Sequence, residues 1–207
     1  MSALTNAKTP DIVIEKISLA RIDDYYGAFL ESREEWINWG GFSAAYLSMS
    51  ALEMMIKDSL EAWKKGTAYT FFILDTALNQ VVGSASLNHI NATIPLANLA
   101  YLVRKSRTGE GIATKAAMLV ARYGFEQLGF QRIEIVVAKD NAASLKVAEK
   151  LGAVREGLLR NRLQLNGSLC DAYLHSLIPK DYEINQINHF NLFHIMNIVQ
   201  FYATKEC

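Results

Sequence analysis

The 207-residue chain predicts one α+β domain around a mixed β-sheet. Two observations carry that reading. Strand-like runs follow one another directly in the first half, and strand-to-helix units alternate in the second. The length suits one domain with a short appendage and is enough to bury a substantial core. The expected division is a polar lead over residues 1–10, a domain over 11–180 and a C-terminal helical extension over 181–207.

After Pro10, "DIVIEKIS" alternates apolar and polar residues as a half-buried strand does. Two helices follow, one from Leu19 to Glu35 and one from Ser50 to Lys65, the second opening on a serine and closing on lysines and Gly66. Between them "WINWGGF" reads as an aromatic loop. "AYTFFILD" and "QVVGSASLNHI" form an antiparallel hairpin, and "ANLAYLVRK" is a third run ending at a glycine stretch.

Behind that stretch Ile112, Ala116, Leu119, Val120 and Tyr123 fall at helical spacing, with Lys115, Arg122 and Glu126 on the other face. "RIEIVVAKDN" is a strand, and "NAASLKVAEKLGA" a short helix capped by Asn141 or Asp140 and stopped at Gly152. Two closing strands turn at Asn166 and Gly167. In the tail, Ile184, Ile187, Asn191, Ile195, Ile198 and Tyr202 follow helical spacing and predict an added helix. Its apolar stripe must pack on its own domain, over the acceptor cleft or across a subunit boundary, the first being favoured and a homodimer contact second.

Composition removes several function classes. Basic and acidic residues balance at 21 each, against nucleic acid as a main partner. The cysteines are Cys170 and Cys207, with no spacing for zinc or a disulfide framework, so no metal is expected and a reducing cytoplasm is the default. The N-terminus lacks the pattern of a secretory signal, and the polar breaks in the tail fall short of a membrane span.

The stretch "SRTGEGIATKAAMLVARYGF" places Gly109 and Gly111 directly before the most regular helix in the chain. A helix N-terminus leaves amide hydrogens unpartnered and carries partial positive charge, and glycine lets a ligand approach them. A diphosphate is the natural guest. An ATPase loop needs Gly-Lys-Ser/Thr, whereas Ile112 and Ala113 follow Gly111, and the dinucleotide pattern lacks its third glycine at Thr114. A glycine pair that merely turns the chain is the plain alternative; the strand before it and the second strand-helix unit after it favour the ligand.

The blocks "RTGEGIATKAA", "GFEQLGFQRIEIVVAKDNAASLKVAEKLGAVREGLLR" and "NGSLCDAYLHSLI" resemble the GNAT acetyltransferases, in the branch of ribosomal-protein N-terminal acetyltransferases of RimJ/RimL type, over roughly residues 10 to 180. The resemblance implies a GNAT fold, a splayed mixed sheet flanked by helices with acetyl-CoA between two parting strands. It implies main-chain contacts from Leu102 and Val103 to the pantetheine arm. It places the pyrophosphate in the loop of Arg107, Thr108, Gly109, Glu110, Gly111, Ile112, Ala113 and Thr114, and puts Asn141 and Ser144 near the thioester. The chain departs from the family where Thr108 replaces a usual Gln or Arg, with Arg107 displaced by one, and where Ala148 replaces a tyrosine acid.

Acetyl transfer to an amine needs an uncharged nitrogen, a polarised carbonyl and help for the departing thiolate. A main-chain N–H near Leu102 serves the oxyanion, and Ser144 is the remaining candidate acid, with helix capping as its plain reading. For the base, relatives carry glutamates where this chain has Asn98 and Leu163. His89 and a water held by Asn98 or a backbone carbonyl stand as alternatives. Trp36 and Trp39 either line the acceptor cleft or anchor a loop.

The expectation is an acetyl-CoA-dependent N-acetyltransferase acting on a protein N-terminus or small amine by direct attack in a ternary complex, as monomer or homodimer. A catalytically weak acetyl-CoA sensor of the same fold is the alternative, motivated by the missing carboxylates. An unrelated nucleotide-binding protein is a third reading, which predicts stabilisation by ATP or NAD above acetyl-CoA.

Overall fold

The computed structural model describes residues 10–40, 48–91 and 93–181. The expected tail helix and the lead before Pro10 lie outside them. Seven strands form one sheet in the order β1-β2-β3-β4-β5-β7-β6: β1 Ile12–Lys16, β2 Tyr69–Asp75, β3 Gln80–Asn91, β4 Leu96–Val103, β5 Arg132–Ala138, β6 Val154–Leu165 and β7 Ser168–Leu177. Every neighbouring pair is antiparallel except β4 with β5. The mixed sheet of the sequence reading is present.

Helices cover both faces, and the strands record it. In β2 Phe71 and Ile73 enter the core that contains Ile112, Ala116 and Val120 of α3 (Ile112–Glu126). Phe72 and Leu74, on the opposite face, enter the core of α1 (Ile22–Gly40) and α2 (Met49–Lys65). A strand buried on both sides has no polar face to show, which is why "TFFIL" is unbroken. Each fully buried Ile, Phe or Val contributes about 1.5–3 kcal/mol relative to exposure.

α1 runs to Gly40, so the expected aromatic loop is corrected: Trp36 to Gly40 belong to the helix. Tyr25, Phe29, Ser32 and Trp36 recur every three or four residues on the buried face, and the Trp36 ring sits 5.5 Å from Tyr25 and 6.1 Å from Phe29. That aromatic packing carries the final turn past Glu35. Ser48, two residues before the expected opening serine, caps α2 by accepting from the Ala51 N–H.

α4 (Ala142–Lys150) is capped by Asn141, whose side chain accepts from the Ser144 N–H at 3.0 Å, and Gly152 follows with φ +73°. The β6–β7 turn falls at Asn166 and Gly167, as its sequence dictates. Among the described residues no helix is long and apolar enough to cross a membrane, and no metal-holding cluster of His, Cys, Asp or Glu occurs.

Candidate functional site

The sheet opens at its one parallel junction. Pairing of β4 with β5 runs only from Leu96↔Arg132 to Asn98↔Glu134, after which the strands part. The gap becomes a cleft of about 700 Å³, walled by residues 99–103 of β4, 135–138 of β5, the start of α3 and one side of α4, with α1 over its far end.

At one end lies the glycine entrance. Gly109 and Gly111 have φ of +85° and +80°, a region that costs an ordinary residue roughly 1–2 kcal/mol. Gly111 is the N-cap of α3 and no side chain closes it, whereas Ser48 and Asn141 close α2 and α4. A Cβ built on Gly109 meets nothing within 4 Å. The amides of this helix therefore face open space lined by glycine.

Arg107 stiffens the loop. Its Nε and Nη2 donate to Glu110 at 2.9–3.0 Å, and Nη2 also donates to Asp75 Oδ2 at 2.8 Å. Among the described residues Nη1 is buried without a partner, although Arg107 lines the cleft. Hydrogen bonds to Glu110 and Asp75 raise the guanidinium pKa above its usual value. At Asp75 burial favours the neutral acid, but hydrogen bonds from Arg107, Leu78 and Ala77 and the Arg107 charge outweigh it and hold the carboxyl below the ordinary range.

Cations dominate the described lining: Arg107, Lys146 and Lys150, against the single carboxylate of Glu35. Glu35 is bound to Lys105 at 2.7 Å, and that hydrogen bond first lowers its pKa. The orphaned guanidinium nitrogen, the uncapped glycine entrance and the cationic lining together fit a diphosphate ligand.

The wall under α1 is neutral. Asn98 Nδ2 donates to Asn88 Oδ1 at 2.9 Å, and Asn88 Nδ2 donates to Ser86 Oγ at 3.2 Å. Among the described residues Asn98 Oδ1 is buried without a partner. Nearby, the hydroxyls of Tyr25 and Ser84 share a hydrogen bond of 2.9 Å. Burial pushes the Tyr25 phenol up to about 12, which keeps it protonated at neutral pH.

Across the gap Tyr101 reaches α4. Its hydroxyl donates to the Ser144 carbonyl at 3.2 Å and lies 2.8 Å from Ser144 Oγ. Burial, partly offset by the Ser144 hydrogen bond, pushes this phenol up to about 12 as well. Ser144 thus does not cap α4; Asn141 does, and the serine hydroxyl is turned to Tyr101.

The other sequence candidates distribute unevenly. Leu102, Val103, Thr108, Ile112, Ala113 and Thr114 all line the cleft. Glu110 does not; it braces Arg107. His89 also lies outside, exposed with φ +48° where the β3–β4 register shifts. Trp36 lines the cleft but is buried, its indole N–H donating to the Val103 carbonyl at 3.1 Å, so it also anchors α1 to β4. Trp39 is 44% exposed. Cys170 belongs to a separate cavity of about 350 Å³ beside the β6–β7 turn.

Tyr101, the Ser84–Ser86–Asn88 alternation and the Asp75 brace join the site from outside the sequence candidates. The serine–asparagine alternation at every second residue of β3 was a usable signal, because it marks one face as polar within an apolar strand. Tyr101 gave none, since its meaning depends on a helix that begins about forty residues later.

The family described as the acetyltransferase (GNAT) domain matches residues 11–154. An uncharacterized N-acetyltransferase, p20, of Bacillus licheniformis is 30% identical over 148 residues, covering 72% of this chain and 81% of its own. RimJ of Mycobacterium smegmatis, solved with CoA-disulfide, superposes with a TM-score of 0.76 at 21% identity, over 82% of this chain and 83% of that one. The ribosomal-protein-S5-alanine acetyltransferase of Vibrio fischeri superposes at 0.74 with 22% identity, over 83% and 94%. The two structural likenesses are of fold.

Proposed function

The chain belongs to the GNAT acetyltransferase family, and from that premise we propose that it transfers the acetyl group of acetyl-CoA to a primary amine, by direct attack while donor and acceptor are both bound. One observation carries the reading: an uncapped, glycine-lined helix entrance opens onto a cleft between two parting strands. Acetyl-CoA supplies an activated acetyl thioester. The amides of α3 and Arg107 Nη1 hold its diphosphate, and the main chain of Leu102 and Val103 holds the pantetheine arm. Ser144 attends the sulfur. Cys170 lies outside the cleft lining, which supports direct attack over a cysteine-bound acetyl group.

The uncharged strand wall, which among the described residues carries amides and hydroxyls and no carboxylate, supports an acceptor with a sizeable neutral fraction at neutral pH. Asn98 and Asn88 offer amide groups, which orient a nitrogen but cannot take its proton at neutral pH. An α-amine, with an ordinary pKa of about 7.7–8.0, is partly neutral there, whereas an alkylamine near 10.4 is not. A peptide or protein N-terminus is therefore the favoured acceptor and a weakly basic small amine the second.

The test is incubation with acetyl-CoA and a panel of peptide amides bearing either a free N-terminus or only a lysine amine. Thiol release above background, with acetylated product in the mass spectrum, is expected for the N-terminal set. The sensor reading, motivated by Asn98 and Leu163 standing where relatives carry glutamates, predicts acetyl-CoA binding without release for every amine.

A further inference from the structure

Tyr101 and Ser144 make an arrangement richer than either role so far given. The phenol has one hydrogen and two acceptors in reach, the Ser144 carbonyl at 3.2 Å and Ser144 Oγ at 2.8 Å. The serine backbone is fixed independently, because Asn141 Oδ1 takes its N–H at 3.0 Å. One turn further along the same helical face stands Ala148, fully buried, with no polar group to compete. Both Tyr101 and Ser144 line the cleft.

At rest Tyr101 donates to the Ser144 carbonyl and Ser144 donates to the Tyr101 oxygen. A second pattern is reached by two hydroxyl rotations. Ser144 turns its hydrogen into the cleft, and Tyr101 turns its own from the carbonyl to the vacated Ser144 Oγ. We propose that this rotation is how the protein stabilises the departing sulfur: Tyr101 is a positioning residue that acts through Ser144, and neither hydroxyl gives up its proton. The proposal rests on the reading of the cleft as the acetyl-CoA site.

The chemistry balances without an enzyme acid. The acceptor nitrogen's lone pair makes the new N–C bond, the C–S bond breaks with its electron pair going to sulfur, and the surplus proton on nitrogen goes to water. Full transfer from Tyr101 would run uphill, since its phenol sits at about 12 while an ordinary thiol titrates near 8.5. A hydrogen bond from Ser144, polarised by one received from Tyr101, stabilises the negative sulfur without that transfer.

The experiment titrates the thiol of CoA bound to the full chain, read by ultraviolet absorbance of the thiolate, with calorimetry to establish binding. Wild type is expected to hold the bound thiol well below its free value. Tyr101→Phe and Ser144→Ala are each expected to move it back by roughly one unit, about a tenfold change in the equilibrium. The double variant should move it no further than the larger single effect, and Ser144→Thr, which keeps the hydroxyl, should retain the wild-type value. Binding of CoA with the same thiol titration in wild type, Tyr101→Phe and Ser144→Ala overturns the relay alone. Failure of the folded wild type to take up CoA overturns the acetyl-CoA reading and the relay with it. Should Tyr101→Phe not fold, Tyr101→Leu takes its place, and a folded Tyr101→Leu whose bound thiol titrates as in wild type overturns the relay.

Discussion

Replacing Arg107 by glutamine separates the brace this side chain provides from the diphosphate contact proposed for it. Its Nη2 pairs with Asp75, whose side chain is 4% exposed, at 2.8 Å. Breaking a buried pair and stranding one charge costs about 3–5 kcal/mol. Asp75 Oδ1 still accepts the Ala77 and Leu78 N–H groups at 2.9 and 3.1 Å, so the low end of that range applies, about 3 kcal/mol. For a chain of this size each kcal/mol moves Tm by roughly 2–4 °C, giving a fall of about 6–12 °C. Independently, loss of a charge-assisted donor to the diphosphate, about 1.5–3 kcal/mol, raises KM for acetyl-CoA roughly 10–100-fold.

The double variant Asp75→Asn with Arg107→Gln removes the stranded charge, and it is expected to recover much of the Tm while KM stays raised. Melting by differential scanning fluorimetry and initial rates against acetyl-CoA read the two effects. The sign with pH is fixed as well. Because the folded Asp75 titrates below its unfolded value, its stabilisation is present above an unfolded pKa of about 3.9 and is lost as pH falls through the folded one. The Tm gap between wild type and Arg107→Gln should therefore close in acid. Recovery of wild-type KM in the double variant would show that Arg107 only braces the loop.

His175 on β7 is 2% exposed, and burial, aided by the Arg155 charge, lowers its pKa against the opposing effect of its hydrogen bond to Ile135. The unfolded imidazole binds its proton first, so stability is full above about pH 6.5 and falls as pH drops from there through the folded value, by at most about 1.4 kcal/mol per unit. Urea midpoints between pH 5.5 and 7.5 should show this slope in wild type and a flatter one in His175→Gln; equal slopes contradict it. At Gly83 a Cβ would stand 2.1 Å from the Leu102 carbonyl oxygen, a clash with backbone that cannot turn aside. Gly83→Ala is expected to cost about 3 kcal/mol or more and to disturb the Leu102–Val103 wall; an unchanged urea midpoint would refute the close approach.

What the sequence made legible was local. The glycine entrance, the Asn141 cap and the β6–β7 turn each depend on a few adjacent residues, and all three stand in the structure where their chemistry requires. What it hid was tertiary. The last turn of α1 exists because Trp36 finds Tyr25, Phe29 and the Val103 carbonyl, and nothing in "WINWGG" announces that partner. The brace on Arg107 comes from a β2 residue thirty-two positions earlier. His89 lies outside the cleft for a related reason: at the register shift near the end of β3 it takes a left-handed conformation with its side chain exposed, and residue type alone does not reveal a bulge.

β4 ties the halves of the site together through its period of two. Leu99, Tyr101 and Val103 point to the α3–α4 face, where they join the core against which Leu145 and Val147 also pack. Asn98, Ala100 and Leu102 point to the α1–α2 face, where Leu102 joins the second core and Asn98 meets Asn88. One strand therefore carries a hydroxyl to one face and an amide to the other, within four residues. Continuous pairing with β5 would seal these faces from each other. The parting of the sheet directly after Asn98 opens both faces to the cleft, at the loss of a few ladder hydrogen bonds.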